Sequence, residues 1–359
     1  MQIVLPDILR TLAYARHLNP HYDEAKVESS LWIQSLVEKL FDQKGQKAFQ
    51  KDYTSLLASL MYSHQDKEFL RVGCDMMNLF FVYDEYTDVV SPETAHKLSQ
   101  IVVDAMKNPD ERSSYGEHPI GDKAKEFWRL AVTLLPAMGS NSGVCKSRFI
   151  QRTEEYLNAV TVEALDRDAG TIHSVKEYLT MRRATSGAGL MLALIEFGLD
   201  LPKAVLEHEV IQALEGYAMD LYSLLNDMHS YASELSSGQA NHNLITVVMH
   251  ENPSLSLQGA FDWLGSYAAT VVDRFQTNVR NLPSFCNVEG PAGEGVDETL
   301  QERINRYIRG LGQVVRAEDD WAFETTRYYG EEGQKIRETR LLMIKPIKTN
   351  YAKACSKAT

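Results

Sequence analysis

Apolar residues recur three and four positions apart through most of this chain. The stretches 67–90, 122–138, 150–168, 174–198, 205–236, 255–280 and 299–328 carry that spacing, which turns one face of each helix toward a core. Alternation of apolar and polar residues between hairpin turns, the mark of half-buried strands, is missing. The expected fold class is therefore all-α. Pro20, Pro92, Pro109, Pro202 and Pro253 fall between the periodic stretches, where a missing N–H costs no helix hydrogen bond. Ser91 and Pro92 open one helix as an N-cap followed by a first-turn proline. Ser174 and Glu177 form a capping box at another. Segment 187–195, GAGLMLALI, has no polar side chain and predicts a helix buried on all sides, one that either packs solidly or walls an apolar cavity.

Residues 107–122 and 282–298 interrupt the pattern, the second rich in Gly, Pro and acid. Neither separates two self-sufficient helical sets, and no repeat is present. Residues 1–359 read as one domain, with 330–359 a basic, partly mobile tail. At 359 residues and 44% apolar composition, the chain is long enough for a large core. Its net charge of −12 makes it a poor partner for nucleic acid, which demands clustered Lys and Arg. No run of apolar residues is long enough to span a bilayer, and the amino terminus lacks the plan of a secretory signal. Cys74, Cys145, Cys286 and Cys355 are scattered without paired spacing, so neither a disulfide framework nor a zinc site is indicated. The compartment expected from this is the cytoplasm.

Two acidic clusters carry the candidate chemistry. Asp84 and Asp88, in DEYTD at the end of the apolar run MMNLFFVY, stand one turn apart and share a helix face with Phe81. Two such acids repel unless a cation lies between them. The bland alternative is a solvated helix end. In NDMHSYASE, Asn226, Ser230 and Glu234 follow at four-residue intervals and so form one narrow stripe. An amide oxygen, a hydroxyl and a carboxylate are hard ligands suited to Mg²⁺. Asp227 and His229 fall off the stripe. A polar helix face would explain the stripe's single residues, but not its continuation from the apolar YAMDLYSLL.

DEYTD at 84–88 resembles the aspartate-rich motif of class I terpene synthases, and NDMHSYASE at 226–234 resembles their second metal motif, N-D-x-x-S-x-x-x-E. MRRATSG at 181–187 looks like the segment with the diphosphate-sensing arginine and a helix-breaking glycine, and Arg327-Tyr328 like a late Arg-Tyr pair. The likeness spans roughly Pro6 to Tyr328. LPDILRTLAYARHLNPHY, FFVYDEYTD and NHNLITVVM are similar to sesquiterpene synthases of mushroom-forming fungi, and DEYTD with the LPDILRTLAYARHLNP opening resembles the protoilludene-forming type. One departure is Ser233, where the family often has Lys.

The resemblance implies a helical bundle around a deep apolar active-site cavity. It implies three Mg²⁺ ions held by Asp84, Asp88, Asn226, Ser230 and Glu234. Farnesyl diphosphate would be ionised and its cation cyclised, with 1,11 closure to a humulyl cation and onward to Δ6-protoilludene. Arg183, Arg327 and Tyr328 would grip the diphosphate, Arg183 being favoured over Arg182 because it stands one turn before Gly187. Phe81 and Trp321 would face the cation, and carbonyls freed at Gly187 would point toward it. Glu85 would face away from the metal side. The protein would be a monomer or homodimer without membrane insertion. Rival readings are a chain-elongating prenyl transferase, which usually carries two aspartate-rich motifs, and a non-catalytic helical scaffold that has kept the fold.

Overall fold

In the computed structural model, residues 1–135, 141–285 and 299–344 are described. Cys286, Cys355, residues 345–359 of the tail and residues 286–298 of the 282–298 loop lie outside them. The helices, in chain order, are α1 (Tyr22–Leu40), α2 (Gln43–Lys51), α3 (Thr54–Met61), α4 (Lys67–Thr87), α5 (Pro92–Lys107) and α6 (Pro119–Ala131). There follow α7 (Ser142–Ala169), α8 (Val175–Thr185), α9 (Ala188–Ile195), α10 (Lys203–Leu206) and α11 (Glu209–Ser237). The remainder are α12 (Leu244–Glu251), α13 (Leu257–Arg280), α14 (Leu300–Glu324), α15 (Thr326–Tyr329) and α16 (Gly333–Thr339). Among the described residues, no helix is long and apolar enough to cross a membrane.

The local signals hold. Ser91 accepts from Thr94 N with Pro92 in the first turn, and Ser174 and Glu177 make the full capping box of α8. Asp66 caps α4 through Phe69 N, and Asn243 caps α12 through Ile245 N. All eight residues of α9 are buried, and α9 packs against α7, α8, α11 and α14. It is the central helix that its composition predicts. α3, also buried along its whole length, packs between α4 and α14. Cys74 and Cys145 are free and buried.

Two breaks in otherwise periodic stretches position the site. Gly187, at φ 69°, lies in the left-handed region and separates α8 from α9, a conformation that glycine adopts without the steric cost a Cβ adds. Thr325 separates α14 from α15 with extended backbone. Its hydroxyl donates to the Asp52 carbonyl at 3.0 Å and accepts from Arg327 N at 3.3 Å. That break turns Arg327 and Tyr328 back into the bundle.

Two features lie outside the helical pattern. Gln2–Val4 and Leu341–Met343 form an antiparallel ribbon with Ile3 opposite Leu342; both are buried while their neighbours are exposed. Three residues per strand are too few to register as alternation in a helical background. The start of the tail is consequently structured: α16 and this second strand carry residues 333–343, and Arg340 pairs with Asp7 at 3.1 Å.

Candidate active site

A cavity of about 660 Å³ lies among α4, α7, α8, α9, α11 and α15. Asp84 and Asp88 line it from the end of α4; Asn226, Ser230 and Glu234 line it from α11. The two oxygen-rich motifs therefore meet at one cavity. Its apolar part includes Met76, Phe80, Phe81, Tyr156, Leu190 and Tyr222, and Gly187 is at its wall.

The carboxylates here are short of positive charge. Burial, then repulsion from Asp88 and Glu85, pushes Asp84 above the usual carboxylate range. Asp88 is raised mainly by burial, although Arg167 donates to it at 2.9 Å. Glu234 is pushed up to about 7 by burial and then by Asp227, against hydrogen bonds from Ser230 and Asn243. Glu163, on α7, is pushed up to about 7 by burial, with further repulsion from Asp84 and Glu234. Such a cluster is electrostatically suited to multivalent cations.

Asn226 is oriented by its neighbours. Its Nδ2 donates to Glu318 Oε1 and to the Tyr328 hydroxyl, both at 3.1 Å, while its Oδ1 accepts from Arg182 Nη2 at 2.8 Å. The amide oxygen, the only ligating atom of the group, is thereby fixed on the side of Arg182.

Several predicted residues lie elsewhere. Arg183 is outside the cavity: its side chain is 47% exposed and clamps Asp220 with Nε at 2.6 Å and Nη2 at 2.7 Å. Arg182, at 12% exposure, lines the cavity and bonds Asp227 at 2.9 Å. Consecutive helical residues differ by about 100° in direction, so α8 is turned by one residue from the expected register. Asp227 is buried beneath this arginine and also accepts from Tyr178 and Leu244 N. Glu85 does not face away. It lines the cavity and pairs with Arg327 at 2.7 Å. Trp321 is fully buried, donates to the Asp52 carbonyl at 2.9 Å, and is not among the lining residues. It stands edge-on to Phe81 at 5.8 Å and to Tyr328 at 5.6 Å, and so backs those two lining rings. Arg327 and Tyr328 do line the cavity; Asp52 holds Arg327 at 3.0 Å, and the guanidinium lies 5.6 Å from the Phe81 ring centroid.

Residues that the pattern did not single out complete the walls. Tyr156, Val160, Glu163 and Arg167 present one stripe of α7, and Tyr156 OH donates to Asp84 at 3.3 Å. Their i, i+4, i+7, i+11 spacing was the available signal. Asp52 sits in a turn between α2 and α3, where no periodicity could mark it. Ser233 lines the cavity, so the departure noted in the second motif falls within the site.

A helical bundle whose two oxygen-rich motifs meet at one cavity, apolar in part and lined elsewhere by charged side chains, has the architecture of the class I terpene synthase fold. The profile described as "Terpene synthase family 2, C-terminal metal binding" matches residues 75–274, and the chain belongs to the terpene synthase family. It is 79% identical to "Sesquiterpene synthase-like protein Agr11" of Cyclocybe aegerita, over 97% of this chain and 94% of that protein. It is 39% identical to a Δ(6)-protoilludene synthase of Stereum hirsutum, over 98% of this chain and 90% of that one. Among solved structures, α-eudesmol synthase shares the fold at a TM-score of 0.74 and 19% identity, covering 87% of this chain and 98% of that chain. Germacradien-4-ol synthase from Streptomyces citricolor does so at 0.71 and 22%, covering 86% and 98%.

Proposed function

We propose that this protein is a Mg²⁺-dependent sesquiterpene synthase that ionises farnesyl diphosphate and closes the resulting cation into a ring system. The observation that carries this reading is the meeting of Asp84 and Asp88 with Asn226, Ser230 and Glu234 at one partly apolar cavity. These donors are all hard oxygens, as Mg²⁺ requires, and the raised carboxylates beside them are those a cation would relieve. Three Mg²⁺ ions are the number expected from the family resemblance. When bound, such ions supply Lewis-acid stabilisation of the departing diphosphate.

The chain's own residues do the rest. Arg182 and Arg327 carry forked donors that match phosphoryl oxygens, and the Tyr328 hydroxyl stands beside them. Asp52 and Glu85 position Arg327; Asp227 positions Arg182. Phe81, with Trp321 behind it, presents an aromatic face that stabilises positive charge. Met76, Phe80, Tyr156 and Leu190 form part of the wall that would keep water from the cation. The left-handed Gly187 leaves room at the wall for the substrate chain.

The product reading is 1,11 closure to a humulyl cation leading to Δ6-protoilludene, supported by the names of relatives in Stereum and Armillaria. It requires the distal double bond to be held over C1, which is a matter of proximity set by cavity contour. Incubation of purified protein with farnesyl diphosphate, followed by mass spectrometry and NMR of the main hydrocarbon, tests it. A skeleton built on 1,10 or 1,6 closure would reject the product. A lengthened linear diphosphate would reject the cyclase in favour of a prenyl transferase.

A further inference from the structure

At the cavity wall, where His242 is itself a lining residue, three side chains to which the cyclase reading gives no role converge from separate segments. Asp166 comes from the last turn of α7, His173 from the connection between α7 and α8, and His242 from the connection between α11 and α12. One ligand atom from each lies within 4.8 Å of the others. His173 Nε2 is 2.7 Å from Asp166 Oδ2, and His242 Nε2 is 3.8 Å from the same oxygen. The two imidazoles stand 6.3 Å apart at 87°.

A hydrogen-bonded His-carboxylate pair accounts for Asp166 and His173. It does not account for His242. That ring is 12% exposed, and both of its nitrogens are buried without a hydrogen-bond partner. Glu163 Oε1 is 3.3 Å from His242 Nδ1 without making a hydrogen bond to it. A buried polar group left unsatisfied in a native fold calls for a ligand or a water.

We propose that Asp166, His173 and His242 form a site for a borderline transition-metal dication, Zn²⁺ by preference. Two imidazoles and one carboxylate are the donor set such ions favour, and Mg²⁺ does not favour imidazole. Closing the three atoms onto one ion requires His242 to move inward from 3.8 Å and the 2.7 Å His173–Asp166 hydrogen bond to open to ligand spacing, and both histidines lie on connections rather than within long helices. The ion would tie the α7–α8 connection to the α11–α12 connection beside the cavity. This assignment is independent of the cyclase reading.

Titrating the full-length protein with Co²⁺ in excess Mg²⁺, followed by visible absorption, tests it without any turnover assay. Excess Mg²⁺ occupies sites made only of oxygen, so nitrogen-ligated Co²⁺ reports the proposed site. One ion per chain with ligand-field bands is expected, and Zn²⁺ should displace it. His173→Ala should weaken binding by roughly 10- to 100-fold or more, since even outer partners of a ligating histidine contribute that much. His173 lies in a connection, so this variant should stay folded by circular dichroism even if His242→Asn does not. Asp84→Asn should leave the Co²⁺ spectrum unchanged. Absence of ligand-field bands would overturn the proposal. So would bands that survive His173→Ala, or bands lost in Asp84→Asn.

Discussion

Arg182 and Arg183 are neighbours in sequence, yet only one reaches the cavity. Arg182 bonds Asn226 and Asp227, whereas Arg183 pairs with Asp220 at the surface. Arg182→Lys keeps the charge but loses the fork. We expect it to lower turnover by roughly 10²-fold, on the scale of losing one preorganised donor, while Arg183→Lys stays close to wild type. Steady-state kinetics of the two variants decide the register, and the reverse order would return the sensing role to Arg183. Asn226→Ala and Glu234→Ala should each remove most turnover. Glu85→Gln should now impair the enzyme too, because Glu85 holds Arg327 at 2.7 Å; wild-type kcat and KM in that variant would contradict its positioning role. Both oxygen-rich motifs were legible as residues because each is a single-helix spacing. The choice between adjacent arginines was not, since it depends on how α8 rolls against α11.

At the scale of elements, the caps and the buried α9 were written in the sequence, being local. The breaks were less so. Gly187 was readable as an interruption, but Thr325 was not, and 299–328 looked like one helix. What bends the chain there is a long-range contact, the Thr325 hydroxyl on the Asp52 carbonyl. The ribbon between residues 2–4 and 341–343 was equally hidden, because its pairing joins the chain's opposite ends. Gly187→Ala places a Cβ at φ 69°, 3.4 Å from the Tyr156 ring. A left-handed L-residue costs about 1–2 kcal/mol, so denaturant unfolding should show a loss of that order. An unchanged midpoint would mean that the α8–α9 junction relaxes without strain.

For the molecule as a whole, the cavity concentrates carboxylates whose folded-state pKa values are raised. A raised carboxylate gives stability that is fully present below its unfolded value and is lost as pH rises through its folded value. Glu163 and Glu234, both pushed up to about 7, place that loss between ordinary carboxylate pKa values and neutrality. Melting of metal-free protein should therefore fall in temperature from about pH 5 to about pH 8. Glu163→Gln, which removes one of these charges, should flatten that fall. Parallel slopes for wild type and variant would remove Glu163 from the account. The global architecture was legible because helical periodicity dominates the chain. The α7 wall was not, because the spacing of Tyr156, Val160, Glu163 and Arg167 marks a shared stripe without saying that the stripe meets a cavity.

The central claim is that facing oxygen ligands on α4 and α11 make this cavity a metal-dependent cyclase. It is tested most directly by following hydrocarbon and diphosphate release from farnesyl diphosphate in one sample, first with EDTA and then after excess Mg²⁺. The account predicts neither product in chelator, and both together once Mg²⁺ is restored. Undiminished hydrocarbon formation in chelator would contradict it.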